Sequence, residues 1–445
     1  MILAQLRLRI YDQSMTSLRA PHRLWRNTRY LTWLVSDTSR GLAATLFSFA
    51  IPLLALIITN DPAQAGVIGG AGMVARLLTT LAGGILADRH GRIRLMLIGS
   101  LLGILLAGAF TLLAIGDALT FGSLLTIEIL LAARSGLFDV AGESAIKEIV
   151  PDEAMGRAQA ANQGRDAALQ LAGGPIGGLL LGVGGWLVGV AMTLCHAIAA
   201  VSAWALGREA RHAGIVDAGA EAEPALPARA KPNAWAELRE GFVWLFSRPD
   251  LGGVLLIITV INLGFNAAIT TVMYGLQQDG YSTLLIGTLG AGVGAVMLVG
   301  AVVAPLLVPR FSAGLITVVG LSGATVGAVA LSMVTEPWAI VLVLGASVFL
   351  LPALNASMMG YFMVATPTEL LGRANSAAGV LGMGALPLAP LIAGFGLTWV
   401  GREWTLLACA GLCLIAVALA LGNRALRALP VESQWAAHAK QYESA

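Results

Sequence analysis

The chain has 445 residues, of which 57% are hydrophobic and 12% charged, and its mean hydropathy is +0.80. Soluble domains carry about twice that share of charge, so a soluble globular domain is excluded and an integral membrane protein is expected. The formal net charge of +2 decides little, because in a membrane protein what matters is where lysine and arginine lie.

The first 29 residues carry Arg7, Arg9, Arg19, Arg23, Arg26 and Arg29 and lack the short apolar core and cleavage site of a signal peptide. Residues 1–30 therefore read as a basic cytoplasmic leader. Apolar stretches of spanning length follow at 31–59, 63–87, 95–115, 121–147, 158–182 and 185–206, and again at 250–276, 281–307, 313–333, 337–364, 373–397 and 403–422. The expected fold class is an all-α integral membrane protein of twelve transmembrane helices in two six-helix bundles, 31–206 and 250–422, with a linker at 207–249 and a cytoplasmic tail at 423–445. With both ends inside, the inner loops and termini hold nearly all the basic residues outside the spans and the outer loops only Arg402, which sets the orientation by the positive-inside rule. In the linker, Trp235, Leu238, Phe242 and Leu245 stand at helical spacing, which suits either a helix lying in the inner interface or an extension of the seventh span. Cys195, Cys409 and Cys413 all fall inside apolar runs, so neither a disulfide nor a metal site is expected.

Between the second and third spans runs GILADRHGRIR, residues 84–94. Its Gly84, Leu86, Ala87, Asp88, Arg89, Gly91 and Arg92 closely resemble the loop between helices 2 and 3 of the major facilitator superfamily, with Ile93 departing from the pattern and Arg94 supplying a charge one place later. A repeat supports two related halves: PDEAMGRA at 151–158 and PTELLGRA at 367–374 align at an offset of 216 residues. A duplicated six-helix unit is how that superfamily is built.

Charge within the spans is uneven. The first half places Asp37, Arg40, Arg76, Glu128, Arg134, Asp139, Glu143, Arg165 and Asp166 at or near membrane depth, whereas the second half keeps its charges in loops and at helix ends. Each such group costs about 2.5–3.5 kcal/mol at a helix centre on the insertion scale, so all nine must face protein or water. They serve either as ion pairs that lock helices or as a proton pathway. On helix 4, Leu130 to Arg134 resembles a motif of the superfamily's drug and proton antiporters, and the resemblance implies a part for Arg134 in proton transfer. On helix 5, Asn162, Asp166 and Gln170 form a stripe four residues apart, followed by a segment with Gly174, Pro175 and Gly178 that resembles the Gly-Pro signature of the superfamily's exporters.

Asp37 has Arg40 three residues on, close enough to pair, which makes it a poor proton carrier. Asp166, with Arg165 rotated about 100° away, faces the cavity without a fixed partner and is the expected carrier together with Arg134; Asp139 and Glu128 are the alternates. The 84–94 hairpin is expected to act as a conformational latch, with Arg92 reaching an acid at the inner end of helix 4, Glu143 the first choice, and Asp88 approaching the start of helix 11 near Gly372. Asn262, Asn266 and Asn355, with Asn162 and Gln170, are expected to line a substrate cavity whose weakly polar, methionine-rich wall suits an amphiphile. Helix 1, with PLLAL at Pro52 to Leu56, and the phrase IVPDE look most like the branch with macrolide efflux pumps and siderophore exporters. The expected function is proton-coupled export of amphiphilic small molecules, with import of a nutrient and lipid or lysolipid flipping as alternatives. No nucleophile and base pair, nucleotide loop or metal cluster is present, so an enzyme is not expected. The expected partners are a small-molecule substrate, protons and the bilayer, for a monomer with no cofactor, no metal and no nucleic acid.

Overall fold

In the computed structural model of the chain, residues 24–212, 234–367 and 370–442 are described; the basic leader to residue 23, most of the linker, Thr368 and Glu369 of the second repeat, and residues 443–445 lie outside them. Twelve long helices account for most of the chain. The first half has α1 (Thr28–Thr59), α2 (Pro62–Arg89), α3 (Arg92–Ile115), α4 (Phe121–Ile149), α5 (Asp152–Val183) and α6 (Gly185–His212). The second has α7 (Gly252–Gln278), α8 (Thr283–Leu307), α9 (Ala313–Met333), α10 (Pro337–Ala365), α11 (Leu371–Trp399) and α12 (Gly401–Gly422). Eleven of them qualify as membrane spans by length and composition, and α4, with 29 residues and the densest charge, completes the set.

Short polar signals between apolar runs define where each helix starts. Asn27 accepts from the Tyr30 amide, Asp61 caps α2 just before Pro62, Thr120 and Ser123 form a capping box, and Ser282 and Ser312 cap α8 and α9. The α1–α2 turn is only two residues long because Asn60 takes the left-handed conformation, φ 51°, that closes a helix end.

One expectation needs correction, and one open alternative is decided. Spans 10 and 11 are not continuous: α10 breaks between Val348 and Leu351, and α11 between Gly384 and Leu388. Prolines carry no backbone N–H, and Pro352 and Pro387 stand at these breaks, where the chain around 383–389 turns on three-residue bonds instead. The linker segment Ala234–Ser247 forms a helix of its own, separated from α7 by residues 248–251; its Phe242 and Leu245 pack on the second half, while the side chains of Trp235 and Leu238 lie outside the described set.

An even number of spans brings residues 24 and 442 to one end of the bundle, here the terminal end. The halves meet mainly at the other, far end, where α2 packs on the second segment of α11, α5 on α8, and α1 on α7. The first segment of α11 packs instead on the linker helix and α7. At α5–α8 the backbones touch: a Cβ on Gly174 would come within 2.7 Å of the Gly287 carbonyl, and Thr283 donates to the Gly178 carbonyl at 2.8 Å. Gly174 and Gly178 thus bring the α5 and α8 backbones together at the far end, and the halves can come this close there only because side chains are absent.

Candidate functional site

Three adjoining cavities share lining residues, the first walled by the first half alone and the other two by both halves. The first, about 620 Å³, sits toward the terminal end and is lined by Trp33, Asp37 and Arg40 of α1, Arg76 of α2, Asp139 and Glu143 of α4, and the α5 stripe with Asn162, Asp166 and Gln170. A second, about 400 Å³, is apolar, with Ile269, Val272 and Met273 of α7, Ile286, Leu289 and Val293 of α8 and Ile340 and Leu344 of α10 facing Phe49 and Gln170. The third, about 230 Å³, lies deeper against α2, α4, α6 and α7. Where the first two meet, at Thr45, Ser48 and Gln170, a molecule with a polar and an apolar part would touch both walls.

The polar wall is one connected ion network. Asp37 receives Arg40 through Oδ1 at 2.5 Å and Arg165 through Oδ2 at 2.7 Å. Arg40 reaches across to Asp139 at 2.9 Å, Asp139 accepts from Ser135 and stands 3.7 Å from Arg134, and Arg165 continues to Asp166 at 2.8 Å. Three arginines therefore face three aspartates over α1, α4 and α5. A buried charge is tolerable when its partners are held in place, and this network joins three helices without leaving net charge among those six groups. Trp33 supports it from behind: its Nε1 donates to the Gly142 carbonyl at 3.0 Å and its ring lies 5.8 Å from the Arg165 guanidinium.

Against the expectations, the structure pairs and separates groups as follows. The Asp37–Arg40 pair forms as the spacing predicts. Asp166 and Arg134 are not brought together: Arg134 bonds the Gly99 carbonyl and faces Asp139, whereas Asp166 pairs with its neighbour Arg165 and is 54% exposed at the mouth of the cavity. The 100° between adjacent Cβ vectors misleads here, because an arginine stem is long enough to fold back across it. Glu128 has neither an ion pair nor a hydrogen bond among the described residues. Arg92 does reach the end of α4, but its acid is Glu148, at 3.2 Å, with the Ser144 carbonyl beside it; Glu143 lies about 140° round the helix and faces the polar cavity. The α2 helix ends at Arg89, Gly91 precedes α3, and the side chain of Asp88 lies outside the described residues, as does any approach to Gly372.

The C-half asparagines are differently employed. Asn262 donates to the Gly382 carbonyl at 3.3 Å, at the break of α11, and Asn266 donates to the Asn262 carbonyl, so both serve backbone. Asn355 lines a separate cavity of about 320 Å³ between the terminal-end halves of α7, α10 and α11. Sequence reasoning missed His196, Tyr274, Gln159 and Thr45 as cavity residues. A lone histidine and a lone tyrosine inside apolar helices were the available signals. The docked tail was missed as well: Trp435 is buried, and Arg248 pairs with Asp250, which also accepts from Tyr361.

Comparison with known proteins adds independent findings. The sequence profile of the Major Facilitator Superfamily matches residues 38–389. The enterobactin exporter EntS of Escherichia coli O127:H6 (strain E2348/69 / EPEC) is 28% identical over 404 residues, covering 84% of this chain and 89% of that protein. Among solved structures, a bacterial homologue of the iron transporter ferroportin in an inward-facing state superposes with a TM-score of 0.63 at 15% identity, covering 88% of this chain and 97% of that one. A bacterial homologue of the human lysosomal transporter Spinster, inward-facing and unoccupied, gives 0.60 at 16% identity over 94% of this chain and 98% of that one.

Proposed function

Since the chain belongs to the major facilitator superfamily, and is thus a multi-pass membrane transporter, we propose that it exports amphiphilic small molecules from the cytoplasm by alternating access, driven by proton entry. The observation that carries this reading is the central space itself, ion-paired and polar on the first-half wall, apolar on the second-half wall, with the halves joined at the far end. The apolar wall would take the body of an amphiphile while Asn162, Gln170 and Arg76 take its polar groups. A sugar or a multiply charged ion would leave the apolar wall unused.

The concentration of basic residues at the terminal end supports a cytoplasmic side for that end, from which the shape described would be loaded. Export rather than import is supported by the similarity to a named exporter and by the helix 5 glycines at the far-end seal. Protons are assigned to the first half, where Glu128, Asp139 with Arg134, the Asp37–Arg40 pair and Asp166 form a line from the deep cavity to the cytoplasmic mouth. Arg92 with Glu148 acts as the latch between α3 and α4.

A transport assay in vesicles of both orientations tests the reading. Uptake of an amphiphile chosen by ligand-stabilisation screening across antibiotics, dyes, siderophores and lysolipids is expected in everted vesicles, and it should collapse when the proton gradient is dissipated. Gradient-driven uptake confined to right-side-out vesicles would make the protein an importer.

A further inference from the structure

The 230 Å³ cavity contains groups that the ion network does not use. Glu128 stands on α4 eleven residues before Asp139, toward the far end, and is buried. Its carboxyl group occupies the space in front of Gly72 of α2, where any Cβ would collide with it. Opposite, from the other half of the protein, comes Tyr274 of α7, 1% exposed, whose hydroxyl has no hydrogen-bond partner among the described residues and lies 3.9 Å from where a Cβ on Gly69 would be. Two more buried polar atoms on the same cavity, His196 Nδ1 and Arg134 Nε, also lack partners there. Pro390 of α11 completes the wall, and the next turns of α2, at Gly66 and Gly70, pack directly on the α11 backbone at Pro387, Pro390 and Gly394. The cavity therefore sits under the far-end seal, and both halves contribute to it.

We propose that Glu128 and Tyr274 form a proton-controlled switch across the two halves that decides whether the far end is shut. The inference rests on the proton-coupled reading above. With its proton, Glu128 can share hydrogen bonds with the Tyr274 hydroxyl through water, for which a cavity of this size has room. Without the proton, the carboxylate has no ion-pair partner in the closed form. Around it, Arg134 on its own helix is engaged with Asp139 and Gly99, Arg40 and Asp37 of α1 belong to the network below, His196 comes from α6, and Arg76 of α2 lines the passage to the polar cavity. A buried charge with no ion-pair partner is unfavourable even beside a few waters, and opening the far end to bulk water relieves it. The proton has a way out to the terminal end, because the deep and polar cavities share Ala44, Ser48 and Arg76. On that route the carboxyl O–H bond breaks, the proton passes to water in the polar cavity, and the charge left on Glu128 drives the seal apart. A proton arriving from the far side reverses it, which is the order a proton-driven exporter requires.

Spin labels on the far-end loops, at Ala118→Cys in the first half and Gln278→Cys in the second, read the seal in the full-length protein in lipid nanodiscs without substrate; both sites are exposed and the three native cysteines are buried. The short-distance population should grow as pH falls from 8 to 5. Glu128→Gln, which mimics the protonated acid, should hold the short distance at both pH values. Tyr274→Phe should move the pH at which the two populations are equal, and the double variant should match Glu128→Gln alone. The proposal is overturned if the wild type shows no pH response, if Glu128→Gln retains the wild-type response, or if the tyrosine change has the same effect in both backgrounds, since a merely structural tyrosine would act additively. Because no substrate is present, a wrong reading of the exported molecule or its direction leaves this measurement unaffected.

Discussion

The two halves descend from one six-helix plan but are held together by different physics. In the first half, α1, α4 and α5 are joined through the Asp37–Arg40–Asp139 and Asp37–Arg165–Asp166 ion pairs, at the depth where the central space lies. In the second half, the walls of that space are aliphatic, and the buried ion pair Arg248–Asp250 lies at the periphery, tying the segment before α7 to Tyr361 of α10 and to the tail at the Ala439 carbonyl. Charge placed on the central wall can respond to protons or a counter-ion, whereas charge at the edge can only fasten. The comparison teaches that duplicating a fold need not duplicate its chemistry: one half sets ion pairs on the central wall, and the other lines that space with aliphatic side chains.

The sharpest way to break this contrast is to strand the centre of the network. Asp37→Asn leaves Arg40 with Asp139 but removes the carboxylate that Arg165 shares with it, and breaking a buried pair costs about 3–5 kcal/mol. Thermal unfolding in detergent should show a loss of that order, the largest among single neutralisations of the first half's aspartates. An unchanged melting temperature would mean that the network does not hold the half together.

A smaller effect is expected at the edge of the second half. Burial alone would raise the pKa of Asp250, but the hydrogen bonds from Arg248 and Tyr361 and the Arg248 charge outweigh it and hold the carboxyl below its ordinary range. A depressed pKa means that its contribution to tail docking is fully present above the unfolded value, about 4, and is lost only as pH falls through the lower folded value. Protection of the tail from proteolysis should therefore be the same from pH 8 to pH 5, and Asp250→Asn should expose it across that range. A tail that loosens between pH 7 and 5 in the wild type would assign the docking to another group.

Much of this was legible in the sequence, for reasons that also mark where legibility ends. Span positions follow from twenty-residue apolar runs and capping residues, and Asp37 with Arg40 follows from helical spacing, since both are local. The partner of Arg92 was right to within the helix but wrong in residue, because Glu143 and Glu148 are separated by helix rotation. The expectation that Asp166 has no fixed partner failed for a different reason: side-chain reach, not Cβ direction, decides whether Arg165 can turn back to it. Asn262 and Asn266 were expected to line the substrate cavity, because a broken α11, whose Gly382 carbonyl takes the Asn262 amide, could not be foreseen from apolar length alone. The deep cavity depends on Gly72, Glu128, His196 and Tyr274 coming together from four helices, and that is a property of packing rather than of any one segment.

The central claim is that proton coupling resides in the first half and substrate fit in the second. Proteoliposomes loaded with a substrate from the stabilisation screen allow proton-driven efflux and substrate exchange to be measured side by side for Asp166→Asn and Leu344→Ala. The first neutralises the exposed acid at the mouth while leaving Arg165 paired with Asp37, and the second removes part of the apolar wall. Asp166→Asn is predicted to lose proton-driven efflux and keep exchange, while Leu344→Ala keeps proton-driven efflux with altered preference among substrates; loss of coupling in Leu344→Ala with full coupling in Asp166→Asn would contradict the account.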